Sequence, residues 1–331
     1  MKVLVTGATG FVGHTLCSFL DTCGHNVVPV VRRATGFPGA VVTSNISHAT
    51  NWATALTGCN AVVHLAARVH VMKDAASHRL TQYRETNTDA TLNLAQQAAQ
   101  AGVKRFVFIS TIKVNGEGSP HPLPLSYGER GAYVETDAPA PEDAYAISKW
   151  EAEQGLQKIA RETGLEIVIL RPPLVYGPRV KANFLRLMQL IQQGWPLPLG
   201  AIKNRRSLLY LGNFVDAIRL CIEHPAAAGQ TFLVDDGQTI STPDLIREIA
   251  KAMHRPARLV PVPVSLLQWV GSMTGRSAAV ARLTGSLYVD SQAIRSRLGW
   301  TPPYSMQTGL AHTVAAFIQN GASVENTVKS T

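Results

Sequence analysis

At 331 residues the chain is too long for one ordinary hydrophobic core, so two lobes are the expectation. Hydrophobic residues make up 46% and charged residues 16%, enough for burial, yet no run of about 18 uninterrupted apolar residues exists, which excludes a spanning helix. The formal net charge of +9 comes without any Lys/Arg block interleaved with aromatics, so anionic small ligands account for it and nucleic acid is not an expected partner.

The first strand starts at once, with no basic segment ahead of an apolar one, so no signal peptide is expected. Residues 3–6 feed into Gly7-Ala8-Thr9-Gly10-Phe11-Val12-Gly13. A strand that ends in closely spaced glycines and opens a helix brings backbone N–H groups against a pyrophosphate. Gly7 allows the tight turn, Gly10 removes a Cβ that would block a phosphate, and Gly13 lets the helix pack on the strand. Cofactor contacts are expected from Gly7, Thr9, Gly10, Phe11, Val12 and Gly13. The helix, 11–22, has Phe11, Val12, Leu16, Phe19 and Leu20 on one face and stops at Gly24.

Further strands are expected at 26–31, 41–46, 61–67, 105–111 and 166–170, with helices at 50–57, 80–100 and 144–163 between them. This alternation means an α/β fold, a doubly wound parallel sheet with ligands at the carboxyl ends of its strands. Pro29 removes a ladder donor, so a local irregularity is expected there. Residues 118–141, rich in Pro and Gly, read as a long irregular loop. Cys17, Cys23, Cys59 and Cys221 lack metal or pairing spacing; reduced thiols in a cytoplasmic protein, with no metal site, are the expectation.

After Arg171-Pro172-Pro173 the pattern changes. Helices at 183–193, 214–223 and 243–253 mix with short strands at 208–211 and 231–234, and Ser241 precedes Thr242-Pro243-Asp244 as an N-cap. Residues 1–172 thus form a dinucleotide-binding domain and 173–331 a smaller α/β substrate lobe, with part of 206–235 returning to the first domain. The apolar stretch 259–270, broken by Pro261 and Pro263, reads as packed core of that lobe, a membrane-facing patch being the lesser reading. The polar tail 323–331 should fray.

Tyr145-Ala146-Ile147-Ser148-Lys149 puts a phenol and an ammonium on one helix face, a turn apart. A nearby Lys⁺ favours the phenolate and lowers a tyrosine pKa, giving a group that exchanges protons with a carbinol or carbonyl oxygen.

With the glycine turn first, a strand ending in Ser110-Thr111 next and Tyr-x-x-x-Lys third, the chain resembles the extended branch of the short-chain dehydrogenase/reductase superfamily, the NAD-dependent epimerase/dehydratase family. His64-Leu65-Ala66-Ala67 matches that family's fourth-strand motif, and Asn87 with Thr91 its Asn-x-x-x-Thr helix start. Arg171-Pro172-Pro173-Leu174-Val175-Tyr176-Gly177-Pro178 looks like the crossing into the substrate lobe, so the resemblance covers nearly the whole chain. It implies that Tyr145 is the general acid/base, that Lys149 holds the nicotinamide ribose and tunes Tyr145, and that Thr111 bonds the reacting oxygen. It extends the cofactor site to Asn45, Ile46, Leu65, Ala66, Ala67, Asn87, Ser110, Tyr145, Lys149 and Pro172. For a nucleotide-diphosphate sugar it implies Arg206 on the diphosphate, Arg282 as a second cation and Asn183 near the base. A homodimer is expected.

Two departures bear on the reaction. Dehydratases of the family carry Asp-Glu after the hydroxyl residue, where this chain has Ile112-Lys113, so elimination lacks its carboxylates. The second strand ends in Arg32-Arg33 rather than a ribose-gripping acid; two guanidiniums suit a 2′-phosphate, which favours NADP(H) over NAD(H). Through 112–117, 180–184 and 204–208 the nearest resemblance is to 4-ketoreductases that make UDP-N-acetylquinovosamine for surface polysaccharides. Reduction of a UDP-4-keto sugar is therefore the leading expectation. A UDP-hexose 4-epimerase with tightly bound NAD is the alternative. A non-catalytic dinucleotide sensor is a third reading, disfavoured by the retained Tyr145 and Lys149.

Overall fold

The structure is a computed structural model and describes residues 1–34, 36–43, 45–69, 76–117 and 131–328. β1 (Lys2–Thr6) is apolar on both faces, as a strand enclosed by helices must be, and Val3, Leu4 and Val5 are fully buried. It leads into α1 (Phe11–Thr22), followed by β2 (Asn26–Val31), β3 (Val41–Val42), the single turn α2 (Ala53–Leu56) and β4 (Ala61–His64). α3 (Ala76–Tyr83) passes through a π-helical turn, Arg84–Asp89, into α4 (Ala90–Gln100). Then come β5 (Arg105–Ile109), a 3₁₀ turn (Ile112–Val114), α5 (Ala144–Thr163) and β6 (Glu166–Arg171). The second half contains β7 (Leu174–Tyr176), α6 (Ala182–Gln192), β8 (Arg206–Tyr210), α7 (Leu211–Glu223), β9 (Thr231–Leu233) and β10 (Thr239–Ile240). It closes with α8 (Thr242–Ala252), α9 (Val264–Met273), α10 (Ser277–Thr284), α11 (Gln292–Leu298) and α12 (Met306–Val328).

Among the described residues a seven-stranded sheet runs β3-β2-β1-β4-β5-β6-β9, and every pairing in it is parallel. The doubly wound α/β fold is as expected. Helix α1 with α7 and α11 covers one face through Leu16, Leu20, Phe214, Ile218 and Ile294. Helices α2, α4 and α5 cover the other through Leu56, Leu94, Ala98, Ala152 and Leu156. Strand order reverses between β1 and β4, and this switch point opens the crevice at the strands' carboxyl ends. A three-stranded sheet, β10-β8-β7, belongs to the smaller lobe, whose core includes Tyr176, Phe184, Met188, Ile249 and Leu310.

Several boundaries differ from the sequence expectation. The strands expected at 41–46, 61–67 and 105–111 stop at Val42, His64 and Ile109, because their last residues turn into the crevice loops. The helix expected at 50–57 is one turn. The segment 80–100 is not one α-helix, since the π turn at Arg84–Asp89 interrupts it. Pro29 causes no irregularity: it pairs in register with Val5, and β3 reaches only Val30 and Val31, so the missing donor has no second neighbour to serve. Of the 118–141 loop, 118–130 lie outside the described residues. The tail is helical through Val328, because α12 continues past its buried half.

One buried ion pair ties the sheet to α5. Arg171, at the end of β6, donates from Nε and Nη2 to Glu153 of α5 at 3.0 and 2.5 Å, and its Nη1 donates to Asn115 Oδ1 at 3.0 Å. Glu153 is fully buried and Arg171 4% exposed. Removing one partner of such a pair strands a charge and costs about 3–5 kcal/mol, whereas replacing both by apolar groups is often neutral. Glu153→Ala should therefore lose about that much stability in urea denaturation, and Glu153→Met/Arg171→Met far less. A single variant within about 1 kcal/mol of wild type, the range of a surface pair, would refute the assignment.

Candidate active site

Gly7 sits at φ +71°, and a Cβ there would lie 2.9 Å from the Ala66 nitrogen in the loop after β4. A Cβ on Gly13 would fall well inside contact distance of the Gly7 carbonyl. The turn is therefore closed by glycine on both sides, and the Gly10 N–H donates back to Gly7 O at 2.8 Å. Gly10 is the N-cap of α1 with no side-chain cap, and no acid occupies the first turn. Free N–H groups at a helix start with no competing carboxylate form an anion cradle that fits a dinucleotide pyrophosphate. Thr9 and Gly10 are exposed, while Phe11 and Val12 are half-buried against the core.

Each other expected cofactor residue lies just past the carboxyl end of a parallel strand, or on α5 and the π turn beside it. Leu65, Ala66 and Ala67 follow β4 and are half-buried. Behind them runs a chain of hydrogen bonds whose directions are determined. Thr91 Oγ1 donates to Asn87 O (2.8 Å) and so accepts from His64 Nε2 (2.9 Å); Thr6 Oγ1 then donates to His64 Nδ1 (2.7 Å) and accepts from the Ala66 N–H (3.2 Å). Burial, reinforced by the charge of Lys149, drops the His64 pKa to about 3, so this imidazole is a neutral structural link. Asn87 brackets the backbone of Arg68 through N (2.8 Å) and O (3.2 Å) and donates to Ser148 Oγ (3.0 Å). It fastens the β4 loop to α5.

After β5, the Ser110 hydroxyl is turned inward, donating to Glu153 Oε1 at 2.5 Å. Thr111 caps the 3₁₀ turn and accepts from the Lys113 N–H at 3.3 Å, which leaves its own proton for an external oxygen. The Pro172 carbonyl, beyond β6, accepts from Ile112 N at 3.1 Å and holds this turn in place. Lys113, where dehydratases place an acid, is bridged to Glu117 and to Asp143 Oδ2 (2.7 Å), and Asp143 Oδ1 caps α5 at Ala146 N (2.7 Å).

Tyr145 and Lys149 lie on α5 one turn apart. The Lys149 Nζ donates to Ile109 O at 2.8 Å and sits 4.4 Å over the Phe108 ring. Burial pulls its pKa down to about 7, against the opposing charge of Glu153. Two further donors of a buried ammonium remain for the oxygens of a ligand. The expected lowering of the Tyr145 pKa is corrected here. Burial pushes that phenol well above its ordinary value, and Asp143 and Tyr83 add to the rise. Helical spacing places the lysine near, but Lys149 is turned to Ile109 O. Tyr83 meets Tyr145 edge-on at 6.2 Å between ring centroids, a neighbour that the sequence reading missed.

Arg32 and Arg33 stand exposed past β2, and neither has an ion-pair partner among the described residues. Asn45 is exposed and Ile46 half-buried against the α2–α4 core. In the smaller lobe Arg206 opens β8, and its Nη1 donates to Arg282 O and to Gly285 O (3.4 Å) at the end of α10. The neighbouring Asn204 is buried and bonds the Gly285 carbonyl at 3.0 Å. The Arg282 side chain is exposed, as is Asn183 at the start of α6. A cavity of about 450 Å³ lined by Arg205, Asp235, Tyr288 and Arg295 takes in none of the candidate catalytic residues. Glu153 and Asp143 were also missed; the i, i+4, i+8 stripe Tyr145-Lys149-Glu153 was the available signal for the first.

Residues 3–234 match the family described as NAD dependent epimerase/dehydratase. The chain is 45% identical over 322 residues to the UDP-glucose 4-epimerase of Vibrio cholerae, covering 96% of each. It is 26% identical over 330 residues to the N-acetyl-alpha-D-glucosaminyl-diphospho-ditrans,octacis-undecaprenol 4-epimerase of Escherichia coli O157:H7, covering 95% of this chain and 94% of that protein. The solved structure of MoeE5 in complex with UDP-glucose and NAD aligns with a TM-score of 0.75 at 25% identity, over 97% of this chain and 99% of that one.

The Lys149 environment yields a pH-dependent outcome. The folded protein holds this proton less tightly, with a pKa of about 7 against an ordinary 10.5, so folding is penalised wherever the unfolded chain is protonated. The penalty is absent at high pH, grows as pH falls from 10.5 to about 7, and is constant below that. Lys149→Met removes it. The Tm of the variant relative to wild type should therefore rise as pH is lowered through that window; a difference independent of pH would show an unperturbed lysine.

Proposed function

The chain belongs to the NAD dependent epimerase/dehydratase family, and we propose that within it the protein is a 4-epimerase of a nucleotide-diphosphate hexose, of the UDP-glucose/UDP-galactose type. The observation that carries this reading is the end-to-end likeness to the Vibrio cholerae UDP-glucose 4-epimerase, which spans both lobes. It reverses the order of the two enzymatic expectations, since the short motifs had put keto-sugar reduction first.

The residues fit the task. Tyr145 takes the proton from the sugar O4 and later returns it, and Thr111 donates to the same oxygen. The phenolate so required is disfavoured by burial, and Lys149, one turn away on α5, is the cation of this chain that would offset it once turned from Ile109 O. A nicotinamide dinucleotide, which the glycine turn of Gly7, Gly10 and Gly13 and Lys149 would hold, would supply the hydride chemistry at C4. Turning the sugar over between its two faces needs a fixed diphosphate, and Arg206, anchored on the α10 carbonyls, provides the fixed cation. The bridges from Lys113 commit the carboxylates of Asp143 and Glu117, which agrees with a reaction that eliminates nothing.

A second reading, reduction of a 4-keto sugar by NADPH, has one observation in its favour. No acidic residue occurs between Asp21 and Asp74, so this stretch offers no carboxylate to a ribose diol, while Arg32 and Arg33 stand exposed past β2. The cofactor carried by the purified protein separates the readings. The epimerase should retain NAD through desalting and equilibrate UDP-glucose with UDP-galactose without added cofactor, as followed by NMR. In that case Arg32→Ala/Arg33→Ala leaves NAD binding near normal. Stoichiometric NADPH consumption with a UDP-4-keto-6-deoxy sugar, and no interconversion, would decide for the reductase. The double variant would then lose about 1.5–3 kcal/mol per phosphate contact.

Tyr145→Phe should lower turnover by roughly two to four orders of magnitude with cofactor binding intact. Turnover within a few-fold of wild type would remove Tyr145 from the mechanism.

A further inference from the structure

The stretch expected to be packed core of the smaller lobe is instead largely on the surface. In α9 only Gly271 is buried, and in α10 no residue is. The two helices pack on each other where Gly271 meets Val280, and Val264 and Leu267 are the partly covered large residues of α9. The remaining apolar residues of α9 are Leu266, Trp269, Val270 and Met273, at i, i+3, i+4 and i+7, which places them on one stripe. They are 47%, 60%, 44% and 72% exposed, and Leu283 of α10 is 46% exposed. Ser265, Gln268 and Ser272 follow one another at helical spacing on a different side. The helix is thus amphipathic toward solvent, in addition to the side it turns to the lobe.

The segment that carries this stripe has charge of one sign. From Ile249 to Val289 the sequence contains no Asp or Glu, yet it carries Lys251, Arg255, Arg258, Arg276 and Arg282. All five are exposed and none has an ion-pair partner among the described residues. A second copy of the chain would bring this cationic segment against its like, so self-association through the face is opposed. An apolar stripe with a tryptophan, in a segment whose charged residues are all exposed cations, has the composition that lies in the interface of a negatively charged bilayer. Among the described residues no helix is long and apolar enough to cross a membrane.

We propose that the α9–α10 hairpin is a docking surface for an anionic lipid bilayer, with Trp269 and Met273 as its apolar anchors. None of Trp269, Met273, Arg255, Arg258 and Arg276 is a candidate site residue, so the inference stands or falls independently of the epimerase reading. Through the bond from Arg206 to the Arg282 carbonyl the hairpin would also hold the smaller lobe in a fixed orientation to the membrane.

The test is cosedimentation of the full chain with vesicles of equal phosphatidylglycerol and phosphatidylcholine, beside vesicles of phosphatidylcholine alone. The wild type should sediment with the anionic vesicles, release as salt is raised, and remain soluble with the neutral ones. Trp269→Ser/Met273→Ser should weaken binding by about tenfold or more, with unchanged Tm and unchanged turnover of soluble substrate. Arg255→Gln/Arg258→Gln/Arg276→Gln should weaken it and flatten the salt dependence. No binding to anionic vesicles, or equal binding by both variants, overturns the proposal. So does a concentration-dependent oligomer that Trp269→Ser/Met273→Ser dissolves, or capture of an acidic protein by the same face without vesicle binding.

Discussion

The geometry of the site rests on the buried pair between Glu153 and Arg171. Glu153 lies two turns beyond Tyr145 and one beyond Lys149 on the same face of α5, so fixing its carboxylate fixes the rotation of the helix about its axis. The carboxylate is gripped from three elements: Ser110 at the end of β5, Arg171 at the end of β6 and, through Arg171, Asn115 beyond the 3₁₀ turn. Thr111 sits between the first and third of these. A pair so deeply buried contributes little net stability, because desolvating two charges offsets most of their attraction. Its consequence is positional, and the three candidate catalytic side chains share one rigid frame.

That frame also sets the electrostatics. Burial holds Tyr145 protonated, pulls Lys149 toward neutrality and keeps His64 uncharged, so the crevice floor resists every charge that proton transfer creates. Glu153 counters this for Lys149 alone, raising a pKa that burial lowers. Asp143 acts the other way on Tyr145, although much of its charge is committed to Lys113 and to the α5 N-terminus. The phenol therefore needs positive charge delivered close to it. Only a ligand in the crevice, or a lysine turned from Ile109 O, supplies that.

Much of this was legible in the sequence, and the exceptions have physical reasons. The β1–α1 turn is a local motif in which each glycine answers a steric demand within a few residues, so its reading needed no tertiary information. The same holds for Tyr145 and Lys149, whose separation is set by helix geometry. Their pKa values depend on how much water and which charges surround them, which spacing does not encode. The π turn at Arg84–Asp89 escaped because its cause lies elsewhere: Asn87 within it bonds the backbone of Arg68 and the Ser148 hydroxyl on two other segments. Residues 259–270 were misread for a related reason. Apolar composition reports what a segment prefers to contact, and only the fold shows that α9 has no core to contact along its outer stripe.

The smaller lobe is joined to this frame through the large sheet itself. Asp235 and Asp236 follow β9, the strand paired with β6. Asp236 accepts from the Tyr176 hydroxyl (3.0 Å), the Asn213 amide (2.7 Å) and the Tyr210 N–H (2.9 Å), reaching β7, α7 and the end of β8 at once. Burial raises its pKa to about 6, yet those donors favour the ionised form and tie it to its neighbours. Asp235 accepts from Ser207, the residue after Arg206, at 2.8 Å, and from Ser291 at the start of α11 at 2.6 Å. The arginine that would hold a diphosphate is thus the first residue of a strand fastened, through Ser207, to the sheet that leads to Thr111. Anchor and reacting groups cannot drift apart without breaking buried hydrogen bonds. If a sugar is to present first one face and then the other at C4, the rotation must come from its own bonds to the diphosphate, and not from movement between the lobes.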